Sequence, residues 1–485
     1  MLLTVPLAGA AVLGGCAGSG NEGGGLKPLG KDDQATIKVM YYDDNAFFQE
    51  YGALFLSKFP NIDVQVANMQ SMYSTGVYTE DSIYKFIDEE KPDVLMLSEN
   101  QYEKLAGEGK LYDLEPVIRQ DKFDLEGIHP AVLKLLRDKG NGKLYGLTPT
   151  FDSHALFYNV DLFQKYGIEP PTDSMSWDEL LALAERFPTD GDEKSRVYGF
   201  GVQYGTASDL AYSIGLTNGL RILSADGSQV TLNTDAWKNV FQSVARAAAS
   251  KAVLLPGNNT SQVGQTIQDF YRQDPFVAGK TAMKIGYPYD VQNLRQAKSV
   301  LGDQMPHWGI VTEPVDPNNR NKSRSFGISN IFAVNAASPN LRAAWEFVKY
   351  VDGEDYARVK SKTPNTNGLL SRTSYNPEVD GVSMEPFYKL DPADDSSSPL
   401  DNAPITFYGL FMPIFQEELQ AVVDNKKTLD EALAELQSRA QEALAQAKKQ
   451  DEEDKAKQAA SASPSESQDS SGSPGAASAS ASAAG

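Results

Sequence analysis

Along residues 35–97 the apolar positions switch repeatedly between two periods. Residues 35–42 (ATIKVMYY) are β-branched and aromatic, the composition of a strand. Asp43-Asp44-Asn45 follows as a turn and helix N-cap, and residues 47–59 space their apolar side chains as a helix does. Residues 62–67 (IDVQVA) alternate as a second strand. A helix over 81–90 is stopped by Pro92, and residues 93–97 (DVLML) form the near-continuous apolar run of a strand buried on both faces. Strand, helix, strand, helix, strand predicts a doubly wound α/β lobe.

Further along, residues 144–151 (LYGLTPTF), 155–158, 197–204 (VYGFGVQY), 281–286 and 326–334 read as strands. Helical spacing marks 102–108, 177–187, 235–250, 266–277, 341–351 and 428–449. Ser176 with Glu179 makes a capping box, and Thr234 caps the helix after it. From residue 450 the chain turns to Asp, Glu, Lys, Ser, Ala, Gly and Pro, too polar to bury a core, so 450–485 is expected to be a disordered tail. At 485 residues the chain exceeds one ordinary hydrophobic core, and two lobes are expected. The sequence carries no internal repeat.

Composition narrows the chemistry. The net charge of −21, from 44 basic and 65 acidic residues, repels phosphate backbones and argues against a nucleic-acid partner. Cys16 is the only cysteine, so the body has no disulfide and no thiol nucleophile. The three histidines (His129, His154, His307) form no metal-ligand motif, and no metal or cofactor is expected. GxSxG, P-loop and dinucleotide-binding glycine patterns are absent from the sequence.

Residues 1–15 (MLLTVPLAGAAVLGG) form an apolar run too short to span a bilayer but suited to a signal peptide. The run ends in Leu13-Gly14-Gly15-Cys16, which resembles the bacterial lipobox whose cysteine is lipidated. No Lys or Arg precedes Cys16, so the natural start is expected upstream. Residues 17–35, rich in Gly, read as a tether, with ends roughly 25 Å apart on average.

Several segments together resemble one family, the extracellular solute-binding proteins of bacterial ABC importers, in the sugar-binding group that resembles maltose-binding protein. They are Lys91-Pro92-Asp93-Val94, residues 102–114 (YEKLAGEGKLYDL), 142–163 (GKLYGLTPTFDSHALFYNVDLF), 276–283 (FVAGKTAM) and 344–348 (AWEFV), in the family's order. The resemblance implies a two-lobe periplasmic-binding-protein-like α/β fold, with doubly wound sheets and a ligand cleft between the lobes. It assigns 36–150 plus 282–328 to the first lobe and 151–281 plus 329–449 to the second. Crossing segments are expected at 149–152, 280–286 and 326–330. It further implies a monomeric, non-enzymatic, lipid-anchored protein on the outer face of the cytoplasmic membrane. Solute binding is expected to close the lobes, and the closed form to dock on ABC permease subunits.

In open α/β sheets ligands sit beyond the carboxyl ends of the strands. Those ends supply Tyr42, Asp43, Asp44, Asn100, Phe151, Asp152, Ser153, His154, Tyr204, Tyr287, Tyr289 and Asp290, with Trp308 as a candidate for either ligand stacking or core. Carboxylates and amides suit sugar hydroxyls, and flat rings suit sugar C–H faces. Asp43 or Asp44 also serves as a helix cap, and Tyr42 competes as strand core. No Arg or Lys stands at these ends, which disfavours anions and leaves neutral or cationic solutes such as polyamines. A glycoside hydrolase built on two of Asp43, Glu99, Asp152 and Asp290 is the enzymatic alternative. Adjacent Tyr41 and Tyr42 face opposite sides of a strand and do not suit a ferric site.

Overall fold

A computed structural model of the chain describes residues 25–30, 32–74, 80–192, 196–202, 205–255, 266–363, 368–376, 378–394, 399–404 and 406–461. Two compact units emerge: Met1–Tyr204 with Ser250–Ser396, and Gly205–Ala249 with Ser397–Gly485.

The first unit carries two larger sheets, a bridge between them, and two two-stranded pairings, Phe200–Gly201 with Val253–Leu254 and Lys322–Ser323 with Asp391–Pro392. In the first sheet the strand order is Ile62–Asn68, Ala35–Tyr41, Val94–Leu97, Ile331–Val334, Gly146–Leu147. Its first three strands run parallel, and Ile331–Val334 runs antiparallel to both neighbours. All four side chains of Val94–Leu97 are buried, which is why that stretch lacks alternation. The second sheet is antiparallel, with Ala155–Asn159 between Trp308–Thr312 and Met283–Gly286. The bridge is a small antiparallel sheet in which Thr150–Asp152 lies between Gly327–Ile328 and Leu369–Leu370.

Two expected strands are each divided. Residues 144–151 break at Thr148-Pro149, where proline has no N–H to give a ladder. The Thr148 hydroxyl instead lies 2.7 Å from the Thr150 carbonyl and 2.9 Å from that of Ser329. Residues 326–334 break at Asn330, whose left-handed backbone (φ 54°) carries the chain from the bridge into the first sheet. Among the described residues of the strand expected at 197–204, Phe200–Gly201 is strand, and the helix at 266–277 reduces to Ile267–Arg272.

Three boundaries differ from the sequence reading. The 280–286 segment does not cross: Met283–Gly286 is an edge of the second sheet, and Leu369–Leu370 takes the third place in the bridge. Ile331–Val334, read as second-lobe, sits inside the first sheet. The helix Leu341–Val351 follows it there, with Phe347 ring centroids 5.5 Å from Phe332 and 5.7 Å from Phe47. A continuous apolar run such as IFAV fits either sheet, so local pattern does not decide. Residues 450–461, read as tail, continue the helix Leu429–Ser461. Once a helix is nucleated, Ala, Lys, Glu and Gln extend it without burying anything.

The second unit is helical: Ala207–Thr217, Asp235–Ala249, Phe407–Val423 and Leu429–Ser461. Phe407, Phe411 and Phe415 stack at four-residue spacing, 5.4 and 5.3 Å apart, and Phe241 meets Phe415 at 5.3 Å. Glu418 is fully buried there and paired with Lys427 (2.7 Å) and Arg439 (2.6 Å).

Candidate functional site

The bridge sheet separates a dry face from a wet one. Ile328, Phe151 and Leu369 are register partners and are buried, with Phe151 stacked on Phe326 at 4.9 Å. One residue along, Gly327 pairs with Asp152, and the same antiparallel register sets Gly368 on the other side of Asp152. Strand side chains alternate, so Gly327, Asp152 and Gly368 share the opposite face. Asp152 is exposed there, yet the surrounding chain removes enough water to raise its carboxyl above the usual range. At Gly368 (φ +92°) a Cβ would come within 2.7 Å of the Phe151 carbonyl oxygen, so only glycine fits.

The ends of the first-sheet strands meet this bridge. Tyr42, 40% exposed, follows Ala35–Tyr41 and brings its hydroxyl to 3.4 Å from Asn330 Oδ1. Its ring lies 5.5 Å from that of Tyr73, which is also exposed. Glu99 follows Val94–Leu97, and its Oε1 accepts the Ile328 backbone N–H at 2.9 Å. Burial raises the Glu99 carboxyl, against the lowering effect of that hydrogen bond.

The second sheet contributes rings. Tyr287 and Tyr289, at the start of the helix Pro288–Leu301, are 42% and 54% exposed and stack at 5.1 Å with planes 11° apart. The His154 ring packs edge-on to Tyr287 at 4.3 Å. The His154 backbone N–H donates to Ser325 Oγ (2.9 Å), and that hydroxyl donates to Glu313 Oε1 (2.7 Å). Ser323 donates to the same oxygen. His154 Nδ1 stands 3.7 Å from Glu313 Oε2. Burial pushes the Glu313 carboxyl up to about 7 and the His154 imidazole down to about 4.

Other predicted residues have structural occupations. Asp43 caps the helix Asp44–Phe47 by accepting the Ala46 N–H at 2.9 Å, while Asp44 accepts from Asn68 Nδ2 at 2.7 Å. Asp290 is buried, accepts the Tyr287 N–H (2.8 Å) and pairs with buried Lys284 (3.1 Å), which also holds Asp274 (2.7 Å). Burial opposes the Lys284 charge, and the two carboxylates outweigh it, holding the ammonium pKa above its ordinary value. Trp308 is buried and stacked on Phe157 at 5.7 Å, and Ser153 is buried. Asn100 is exposed one position past Glu99. Tyr204 and Cys16 lie outside the described residues.

Thus Tyr42, Asp152, His154, Tyr287 and Tyr289 gather around the bridge, together with Glu99, Tyr73, Glu313 and Ser325. Glu313 follows the strand Trp308–Thr312, so the strand-end rule that selected the others applies to it equally. Tyr73 has no such signal, because its helix, Gln70–Ser74, is too short to show a period. Among the described residues no group of three or more His, Cys, Asp or Glu side chains is arranged to hold a metal ion. Nor is any helix among them long and apolar enough to cross a membrane.

Residues 41–358 match the family model of the bacterial extracellular solute-binding protein. A putative binding protein of Brucella abortus is 26% identical over 232 residues, covering 47% of this chain and 51% of that protein. The chain therefore spans about half the length of that relative. The maltodextrin-binding protein of Bacillus subtilis is 24% identical over 321 residues, 64% of this chain and 68% of its own. Among solved structures, a family 1 extracellular solute-binding protein from Alicyclobacillus acidocaldarius superposes with a TM-score of 0.58 at 16% identity, covering 86% and 99% of the two chains. The sugar-binding protein MalE of Xanthomonas citri gives 0.56 at 18% identity, covering 85% and 98%. These likenesses show the two-lobe α/β binding-protein fold.

Proposed function

Because the chain belongs to the bacterial extracellular solute-binding proteins, we propose that it captures a carbohydrate over the bridge sheet and hands it unchanged to an ABC permease. The observation that carries this reading is the pair of exposed ring platforms, Tyr42 with Tyr73 and Tyr287 with Tyr289, one beside each sheet. Sugar C–H faces stack on such rings, and sugar hydroxyls donate to carboxylates. The similarity to the maltodextrin-binding protein of Bacillus subtilis and the sugar-binding protein of Xanthomonas citri supports the same ligand class. A nucleophile or proton donor has no place in this reading, since binding and release complete the task.

A cationic solute is the second reading. The carboxyls of Asp152 and Glu99 are both raised by desolvation, and an arriving ammonium would relieve it. Tryptophan and tyrosine fluorescence titrations with maltose, maltotriose, putrescine and spermidine separate the two. Saturable quenching by a saccharide, lost in Tyr287→Ala, supports the first reading; saturation by a polyamine alone replaces it with the second.

We also propose lipid attachment at Cys16, supported by the Leu-Gly-Gly-Cys pattern. In a bacterial host making the complete precursor, Cys16→Ser is expected to abolish metabolic palmitate labelling. Labelling that persists in that variant rules the attachment out.

A further inference from the structure

Gly327 has no backbone reason to be glycine. Its φ is not in the left-handed region, in contrast to Gly368 opposite. Close packing does not require it either: a Cβ there would meet Glu99 Oε1 at 3.7 Å and the Ser325 carbonyl oxygen at 4.0 Å, both ordinary contacts. Glycine inside a strand costs about 0.5–1 kcal/mol relative to alanine, so the missing side chain is a liability to folding at this position. What it leaves is space. Gly327 is the register partner of Asp152, so the absent side chain would project beside the Asp152 carboxylate, on the wet face of the bridge. Glu99 Oε1 borders the same space from the first sheet, anchored by the Ile328 N–H.

We infer that Gly327 is a specificity-determining residue, whose bare Cα forms a seat between Glu99 and Asp152 for a ligand edge with two hydrogen-bond donors. Adjacent hydroxyls of a sugar ring meet that description, and this inference rests on the carbohydrate reading above. The ring lies flat over Gly327 and Gly368, and each carboxylate accepts from one hydroxyl. A methyl group at position 327 fits the folded protein and occupies the seat. The fold is therefore expected to tolerate a substitution that the ligand does not.

Isothermal titration of the full chain with glucose, galactose, maltose, cellobiose and trehalose tests this, using wild type, Gly327→Ala, Gly327→Val, Asp152→Asn and Gly107→Ala. Gly107 closes a surface helix with nothing within 4 Å of its Cβ position, and serves as the control. For the sugar that wild type binds, Gly327→Ala is expected to weaken affinity about tenfold and Gly327→Val further, while Gly327→Ala melts no lower than wild type. Gly107→Ala should bind as wild type does. If Asp152→Asn weakens binding while both Gly327 variants bind normally, the seat is wrong and the carbohydrate reading survives. If wild type binds none of the five sugars, both fall together. Should the valine variant misfold, the alanine variant decides.

Discussion

Glu313 is a carboxyl group held 8% exposed, with two serine hydroxyls on one oxygen and an imidazole facing the other. Burial moves its pKa from 4.5 to about 7 in the folded state. A carboxyl raised on folding prefers to keep its proton, so its share of stability is present below about pH 4.5 and is lost as pH rises to about 7. That difference corresponds to about 3 kcal/mol as an upper bound. His154, lowered to about 4, works in the opposite sense, since stability falls as pH drops from its ordinary value of 6.5. Subtraction separates the two. Urea denaturation of wild type and Glu313→Gln from pH 4.5 to 8 should show the glutamine variant gaining on wild type throughout the rise. Parallel curves would mean that Glu313 is ionised and compensated at every pH in that range.

At the scale of elements, the Tyr287–Tyr289 platform stands on a buried ion triad. Lys284, 3% exposed, joins Asp274 to Asp290, and Asp290 caps the helix that presents both rings. Replacing Lys284 with Met strands two carboxylates in the protein interior, and a loss of about 3–5 kcal/mol is expected by chemical denaturation. A loss below 1 kcal/mol would show that water reaches the pair. In the helical unit, a Cβ at Gly215 would lie 2.3 Å from the Trp237 ring, so the Ala207–Thr217 and Asp235–Ala249 helices touch through bare backbone there. Gly215→Ala is expected to cost about 1–3 kcal/mol despite the better helix propensity of alanine, read as a lowered melting temperature. Elements with local signatures were legible in the sequence: the Ser176–Glu179 capping box and the helix Leu341–Val351 fall where their patterns put them. The bridge was only half legible. Its strands are two or three residues long and carry no period, and Leu369 finds Phe151 across more than two hundred residues. Of the candidate ring residues, Trp308 is explained by packing on Phe157, which sequence alone left open.

At the scale of the molecule, the ordered family segments made the fold legible, whereas the division into lobes depended on sheet partners that only the register reveals. The proposed capture of solute over the bridge implies that the two sheets of the first unit approach when ligand arrives, because only contacts made in the closed form can supply the energy of closing. Small-angle scattering should then record a smaller radius of gyration at saturating sugar than without it. An unchanged radius beside calorimetrically proven binding removes the closure step and leaves capture intact.

The alternation across Thr150–Asp152 also bears on how this stretch can change over generations or in the laboratory. Phe151 points into the oil and Asp152 into the water, and their neighbours on both flanking strands keep the same parity. Losing Thr150, or gaining a single residue between Pro149 and Phe151, would swap the two, burying an acid and exposing an aromatic ring. Chain length here should thus be far less negotiable than side-chain identity: excision of Thr150, or a one-residue insertion before Phe151, should leave the protein insoluble while many point substitutions survive.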